Sequence, residues 1–172
     1  MAVTTAQVKS ALRIDYTDDD TEIARLITVA TSFVERYTGL AMSSASRTMY
    51  LREFKRTVFS VLPFTSITSV TYTDPSGTVV TMTSGTDYWV DNSEDIAALE
   101  FLETPAMKEG TLATVTYVAG YASEPNEAVQ AIISLVGAMY NNPEAVQPLS
   151  LSVVPIGAQF MLDHLRVAVP FR

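Results

Sequence analysis

The chain has 172 residues, 48% of them hydrophobic and 17% charged, with a net charge of −8 at pH 7 and no cysteine. That length and apolarity suit one domain, or one domain with an insertion, around a real core. Disulfides, thiolate metal sites and a cysteine nucleophile are excluded, the acidity argues against wrapping nucleic acid by phosphate neutralisation, and no stretch reaches the ~18 apolar residues of a membrane span.

The opening MAVTTAQVKS lacks the apolar run of a signal peptide. Within it, Thr4-Thr5-Ala6-Gln7 predicts a capping box. The short helix that follows should bury Val8 and Leu12, with Ala11 as a further candidate. Asp18-Asp19-Asp20 opens the strongest helical pattern. Asp19 and Glu22 can form a second capping box there, and three acids complement the helix dipole. Ile23, Leu26, Ile27, Ala30, Phe33, Val34 and Tyr37 recur on one face, and Gly39 stands where a glycine stops a helix. Three consecutive acids also suggest calcium, but the glycine and distal glutamate of an EF-hand loop are missing. Capping is the better reading.

From Ala45 to Leu62 the pattern predicts a hairpin, with Met49-Tyr50-Leu51 on one arm and Val58-Phe59 on the other. Arg47, Arg52, Lys55 and Arg56 fall here, four of the eleven basic residues. A solvated loop accounts for such a run. The sharper reading is a basic contact patch facing an acidic neighbour or DNA.

The middle of the chain alternates apolar and polar residues at period two, with β-branched and aromatic residues between turn signals. Strands are predicted over Ser66–Asp74, Thr78–Met82, Tyr88–Val90, Ile96–Phe101 and Leu112–Val118, with a turn at Asp74-Pro75-Ser76-Gly77. Trp89 reads as a core or hinge anchor rather than a ligand-stacking residue. Asp87, Asp91, Asp95 and Glu100 form no recognisable acid–base pair.

Pro125 suits the first turn of a helix whose buried face is Val129, Ile132, Ile133, Val136 and Tyr140. Gly137 costs that helix roughly 1 kcal/mol relative to alanine, which implies a close approach there. Asn141-Asn142-Pro143 ends it. From Ala145 through Leu162 there is no charged residue, and Pro148 and Pro155 preclude a long regular element. Such a segment needs cover, either from its own core or from another subunit, and apolar patches of this size favour the second. Ala158 to Val167 reads as a last short helix with Met161, Leu162 and Leu165 inward. Val169-Pro170-Phe171-Arg172 reads as an extended tail. His164, the single histidine, has no second histidine or cysteine with which to share a metal, and no motif supplies the serine of a triad. No cofactor is expected. Helices at both ends with strands between predict an α+β fold.

The order of short motifs resembles the head–tail connector (head completion, adaptor) proteins of tailed bacteriophages. The likeness runs through Leu12-Arg13-Ile14-Asp15, the aspartate run, Val34-Glu35-Arg36-Tyr37-Thr38-Gly39, Ile67-Thr68-Ser69-Val70-Thr71-Tyr72 and Tyr88-Trp89-Val90-Asp91. It continues through Val115 to Tyr121, the helix from Pro125, and the close at Leu162 and Pro170-Phe171-Arg172. At Asn141-Asn142-Pro143-Glu144 the chain departs from the aromatic-rich helix end and Asn-Arg-Glu of that pattern. The resemblance implies a small helical bundle made by residues 1–44 and 122–172, with an antiparallel β insertion over 45–121. It also implies a structural virion protein at the neck, assembled in the host cytoplasm as a ring, commonly of twelve copies, beneath the portal. Such a ring would extend the DNA channel without reading sequence and would give neck or tail proteins a platform. Leu151, Val153, Val154, Ile156, Phe160, Leu165, Phe171 and Arg172 are then the candidate portal or subunit interface. Two other readings remain open: a tail terminator or stopper, and a ligand- or carbohydrate-binding β module using Tyr88 and Trp89 as its platform. An enzyme is disfavoured by the missing nucleophile and phosphate-loop motifs.

Overall fold

A computed structural model describes residues 3–92, 96–142 and 156–167. The described residues form two compact units, one drawn from 1–43 and 121–168 and the other from 44–120. The first is helical and the second is made of antiparallel sheets, so the fold is α+β, with helices toward both ends and strands between.

In the helical unit, α1 (Thr5–Leu12) starts at the predicted capping box. Thr4 Oγ1 accepts from the Gln7 N–H at 3.3 Å, and Gln7 Oε1 accepts from the Thr4 N–H at 2.9 Å. Val8 is buried but Ala11 is exposed, because the contact stripe of so short a helix takes only Val8 and part of Leu12. The second helix, α2 (Asp20–Thr38), buries Ile23, Leu26, Ala30, Val34 and Thr38 at helical spacing. It ends at Gly39, whose φ of 76° is the left-handed conformation that glycine adopts without steric cost. The second capping box does not form. The Asp19 side chain makes no cap bond, because its carboxylate accepts from the Tyr140 hydroxyl of a distant helix.

That helix is α3 (Asn126–Asn141), which packs against α1, α2 and α4. Its buried side includes Ala128, Ala131 and Gly137 as well as Ile132, Leu135 and Val136. Small residues let neighbouring elements come near. A Cβ at Gly137 would lie 2.9 Å from Leu12 Cδ2, which accounts for the glycine. The last helix, α4 (Ile156–Asp163), rests on α2 and α3 through the fully buried Ala158 and Leu162.

In the β unit the strands are β1 (Ala45–Leu51), β2 (Thr57–Val58), β3 (Phe64–Thr73), β4 (Val79–Thr81), β5 (Tyr88–Asp91), β6 (Ala98–Phe101) and β7 (Ala113–Ala119). They form a four-stranded sheet in the order β1-β7-β3-β4 and a three-stranded sheet in the order β2-β6-β5. The hairpin predicted over Ala45–Leu62 is absent. Its arms go to different sheets, β1 onto β7 and β2 onto β6, because both partners offer longer apolar faces than the arms offer each other. Only β3 and β4 form the hairpin predicted around Asp74–Gly77. There the Asp74 carboxylate accepts from the Thr78 N–H at 2.9 Å and from the Ser76 hydroxyl at 2.6 Å.

One apolar cluster joins the two sheets, with Val70, Val115 and Tyr117 from one and Tyr88 and Leu99 from the other. Phe54 and Phe59, in the segment between β1 and β2, complete it. Phe59 stacks on Phe64 with ring centroids 4.3 Å apart, and Phe54 packs edge-on to Phe101 at 5.1 Å. Aromatic pairs at these distances add about 0.5–1.5 kcal/mol each beyond area burial.

Candidate interaction surfaces

Two surfaces carry the residues that the sequence marks for contact. The first is the exposed side of α4. Three polar contacts hold this helix in place. The Tyr37 hydroxyl donates to Asp163 Oδ1 at 2.7 Å, the Arg166 guanidinium lies 5.7 Å from the Tyr37 ring centroid, and the Val167 N–H donates to the Thr38 carbonyl at 3.0 Å. The bond to Asp163 pushes the Tyr37 phenol above its ordinary pKa, with burial adding to the effect. With Ala158 and Leu162 turned in, Phe160 faces out and is 70% exposed. An anchored helix presenting a bare phenylalanine is a rigid knob suited to a partner's pocket. Ile156 is the first residue of α4 and Leu165 is half-buried just beyond its end. Leu151, Val153, Val154, Phe171 and Arg172 lie outside the described residues, as do Asp95 and Pro143-Glu144.

The second surface belongs to the β unit. Of the four candidate basic residues, Lys55 is paired with Glu53 and Arg56 with Glu100. Arg47 and Arg52 are exposed and make no ion pair among the described residues. They stand five positions apart, about 16 Å along an extended strand, so the four do not converge on one point. Arg47 lies in register with the buried Tyr117, on the core-facing side of edge strand β1. An inward-directed charge on an edge is a known guard against sheet-to-sheet aggregation.

Trp89 is not a core anchor. It is 43% exposed, while its neighbour Tyr88 is 6% exposed. Strand alternation sends the two rings to opposite faces, and pairing of Tyr88 with Phe101 turns Tyr88 toward the core. They cannot form a joint platform for a sugar. Among the described residues no group of three histidine, aspartate or glutamate side chains could hold a metal, and His164 is exposed.

With this geometry in hand, similarity to known proteins decides the family. The head completion protein model matches residues 2–146. The chain belongs to the head completion protein family. No curated protein matches it. Solved structures share the head completion fold end to end. A chain from the "Neck of empty GTA particle computed with C6 symmetry" superposes with a TM-score of 0.78 at 17% identity, covering 99% of this chain and 92% of its own length. A chain from the "Virion of native gene transfer agent (GTA) particle" gives 0.77, again at 17% identity with 99% and 92% coverage. A third, from the "Neck of native GTA particle computed with C12 symmetry", gives 0.72 at 17% identity, with 99% of this chain and 91% of that one covered. Head completion proteins are therefore the frame in which the exposed side of α4 and the β-unit surface are to be read.

Proposed function

We propose that this chain is a structural component of a phage-like neck and catalyses no reaction. In this reading it is a head–tail connector, assembled as a ring of about twelve copies beneath the portal; the twelvefold symmetry printed for a fold relative supports that number. The observation that carries the reading is the head completion family match over most of the chain. Its site is the virion neck, where the ring extends the DNA channel and offers a platform to the next neck or tail protein. The helical unit is the connector core and the β unit an insertion.

Physically, ring formation is burial of apolar area at about 25 cal/mol per Å2, set against the cost of association. A head-to-tail contact closes into a ring when its rotation divides a full turn. Phe160 and Leu165 belong to the portal or subunit contact, together with Leu151, Val153, Val154, Ile156, Phe171 and Arg172. Arg47 and Arg52, with Lys55 and Arg56, lie toward acidic surface on a neighbour or the portal. The net charge of −8 keeps DNA from sticking to the channel wall, since phosphate repels acidic surface. Electron microscopy of the purified chain mixed with the portal of the same particle tests this. A ring of about twelve copies seated on the portal is expected. Particles that stay separate from the portal, with the chain never in a ring, would sink it.

A further inference from the structure

The exposed face of the three-stranded sheet carries an arrangement that the fold does not need. Register places Trp89 opposite Glu100, and Asp91 opposite Ala98, which in turn pairs with Val58. Arg56, one residue before β2, falls opposite Glu100. Its Nε donates to Glu100 Oε1 at 2.9 Å, and a terminal guanidinium nitrogen lies 3.8 Å from Asp91 Oδ2. Leu102, one residue beyond β6, continues the alternation, and its N–H donates to the Asp87 carbonyl at 2.9 Å. One face therefore exposes Val58, Trp89 and Leu102 at 37%, 43% and 57%, and Asp91 and Glu100 stand among them. The opposite face, with Tyr88, Leu99 and Phe101, supplies the core. An exposed tryptophan flanked by aliphatic side chains and a clamped guanidinium has the composition of an interface hot spot. A glycan platform would want a second aromatic ring on this face, and Tyr88 is turned away.

We infer that this face is the docking surface for a neighbouring copy of the chain, which covers Trp89, Val58 and Leu102 and brings its Arg52 to Asp91 and Glu100. The inference rests on the ring reading above and names the contact that closes the ring. Charge complementarity selects the occupant. Arg56 is the one cation set against Asp91 and Glu100 in the printed ion pairs, which leaves the face acidic. Arg52 is an exposed cation with no ion pair among the described residues. Arg47 is accounted for by the β1 edge. Two copies with the same net negative charge need such an opposite-charge contact to approach each other. Because the two patches differ, the contact is head-to-tail.

The absence of cysteine makes the test clean. Arg52→Cys and Leu102→Cys are prepared as separate single-thiol chains, mixed under the conditions in which the ring forms, alone or on the portal, and oxidised. The mixed 52–102 dimer should dominate both homodimers, and a chain carrying both substitutions should give a ladder ending at the ring size. Trp89→Ala should raise the concentration for half-assembly by at least about 30-fold, the effect of losing one hot spot, with Tm unchanged. Rings that assemble at the wild-type concentration in both Trp89→Ala and Arg52→Glu chains overturn this interface and leave the neck reading intact. Trp89-dependent binding of a glycan by a monomeric chain overturns it as well. A chain that forms no ring, alone or on the portal, overturns both.

Discussion

Thr38 shows how one hydroxyl can hold a helix end. It is fully buried, donates to the Val34 carbonyl at 2.8 Å and accepts from the Leu40 N–H at 3.2 Å. Its own carbonyl receives Val167. Thr38→Val keeps the shape and strips the acceptor from a buried N–H, which costs about 1–3 kcal/mol. Urea denaturation should show that loss as a lower midpoint at unchanged m-value. Tyr140 makes a second residue-scale link, donating to Asp19 and meeting the Tyr16 hydroxyl at 2.8 Å. The bond to Asp19, then that to Tyr16, raises the Tyr140 pKa well above its ordinary value of 10.0. A raised folded-state pKa means stability that is fully present below the unfolded value and lost as pH climbs through the folded one. Thermal melts of wild type and Tyr140→Phe should therefore differ by a constant Tm between pH 6 and 9, and the gap should close above about pH 10 as the wild-type phenol ionises. A gap unchanged at pH 12 would refute the link. Neither bond is legible in the chain near Asp19. That residue has the local signature of an N-cap, and a hydroxyl 121 positions away takes the carboxylate instead.

At the scale of elements, Gly137 weighs propensity against space. Alanine there gains about 1 kcal/mol of helix propensity, but its Cβ meets Leu12 Cδ2 at 2.9 Å. That atom is the end of a flexible, half-buried side chain, so Gly137→Ala should stay within about 1 kcal/mol of wild type. Gly137→Leu cannot be absorbed and should cost about 1–3 kcal/mol by overpacking the α1–α3 contact. Calorimetry separates the two, and equal melting temperatures would show that α1 does not pack where it is placed. The close approach at Gly137 was readable from the sequence because a glycine inside an apolar helix needs a reason. The pairing of β1 and β2 was not readable. Local spacing around Arg52–Arg56 imitates a hairpin, while the two arms find partners in β7 and β6, more than 40 positions away.

For the whole molecule, function lies in what remains exposed after both units have buried their cores. Phe160 has no structural role where it stands, so Phe160→Asp should leave the melting temperature within about 2 °C of wild type. Portal binding, measured by sedimentation or surface plasmon resonance, should weaken by at least tenfold if the ring seats on the exposed side of α4. Undiminished binding would move the portal contact elsewhere.

The sequence by itself determined the class of the fold, the capped start of α1, the glycine stop of α2, the β3–β4 turn and the family. Each depends on spacing within a few residues or on the order of short motifs. Tertiary structure alone decided which of Tyr88 and Trp89 faces the core, which carboxylates cap and which cross-link, and which strands pair. A period of two fixes that adjacent side chains part company but not which one goes inward. That phase is set by register against β6, where Tyr88 meets Phe101 and Trp89 meets Glu100.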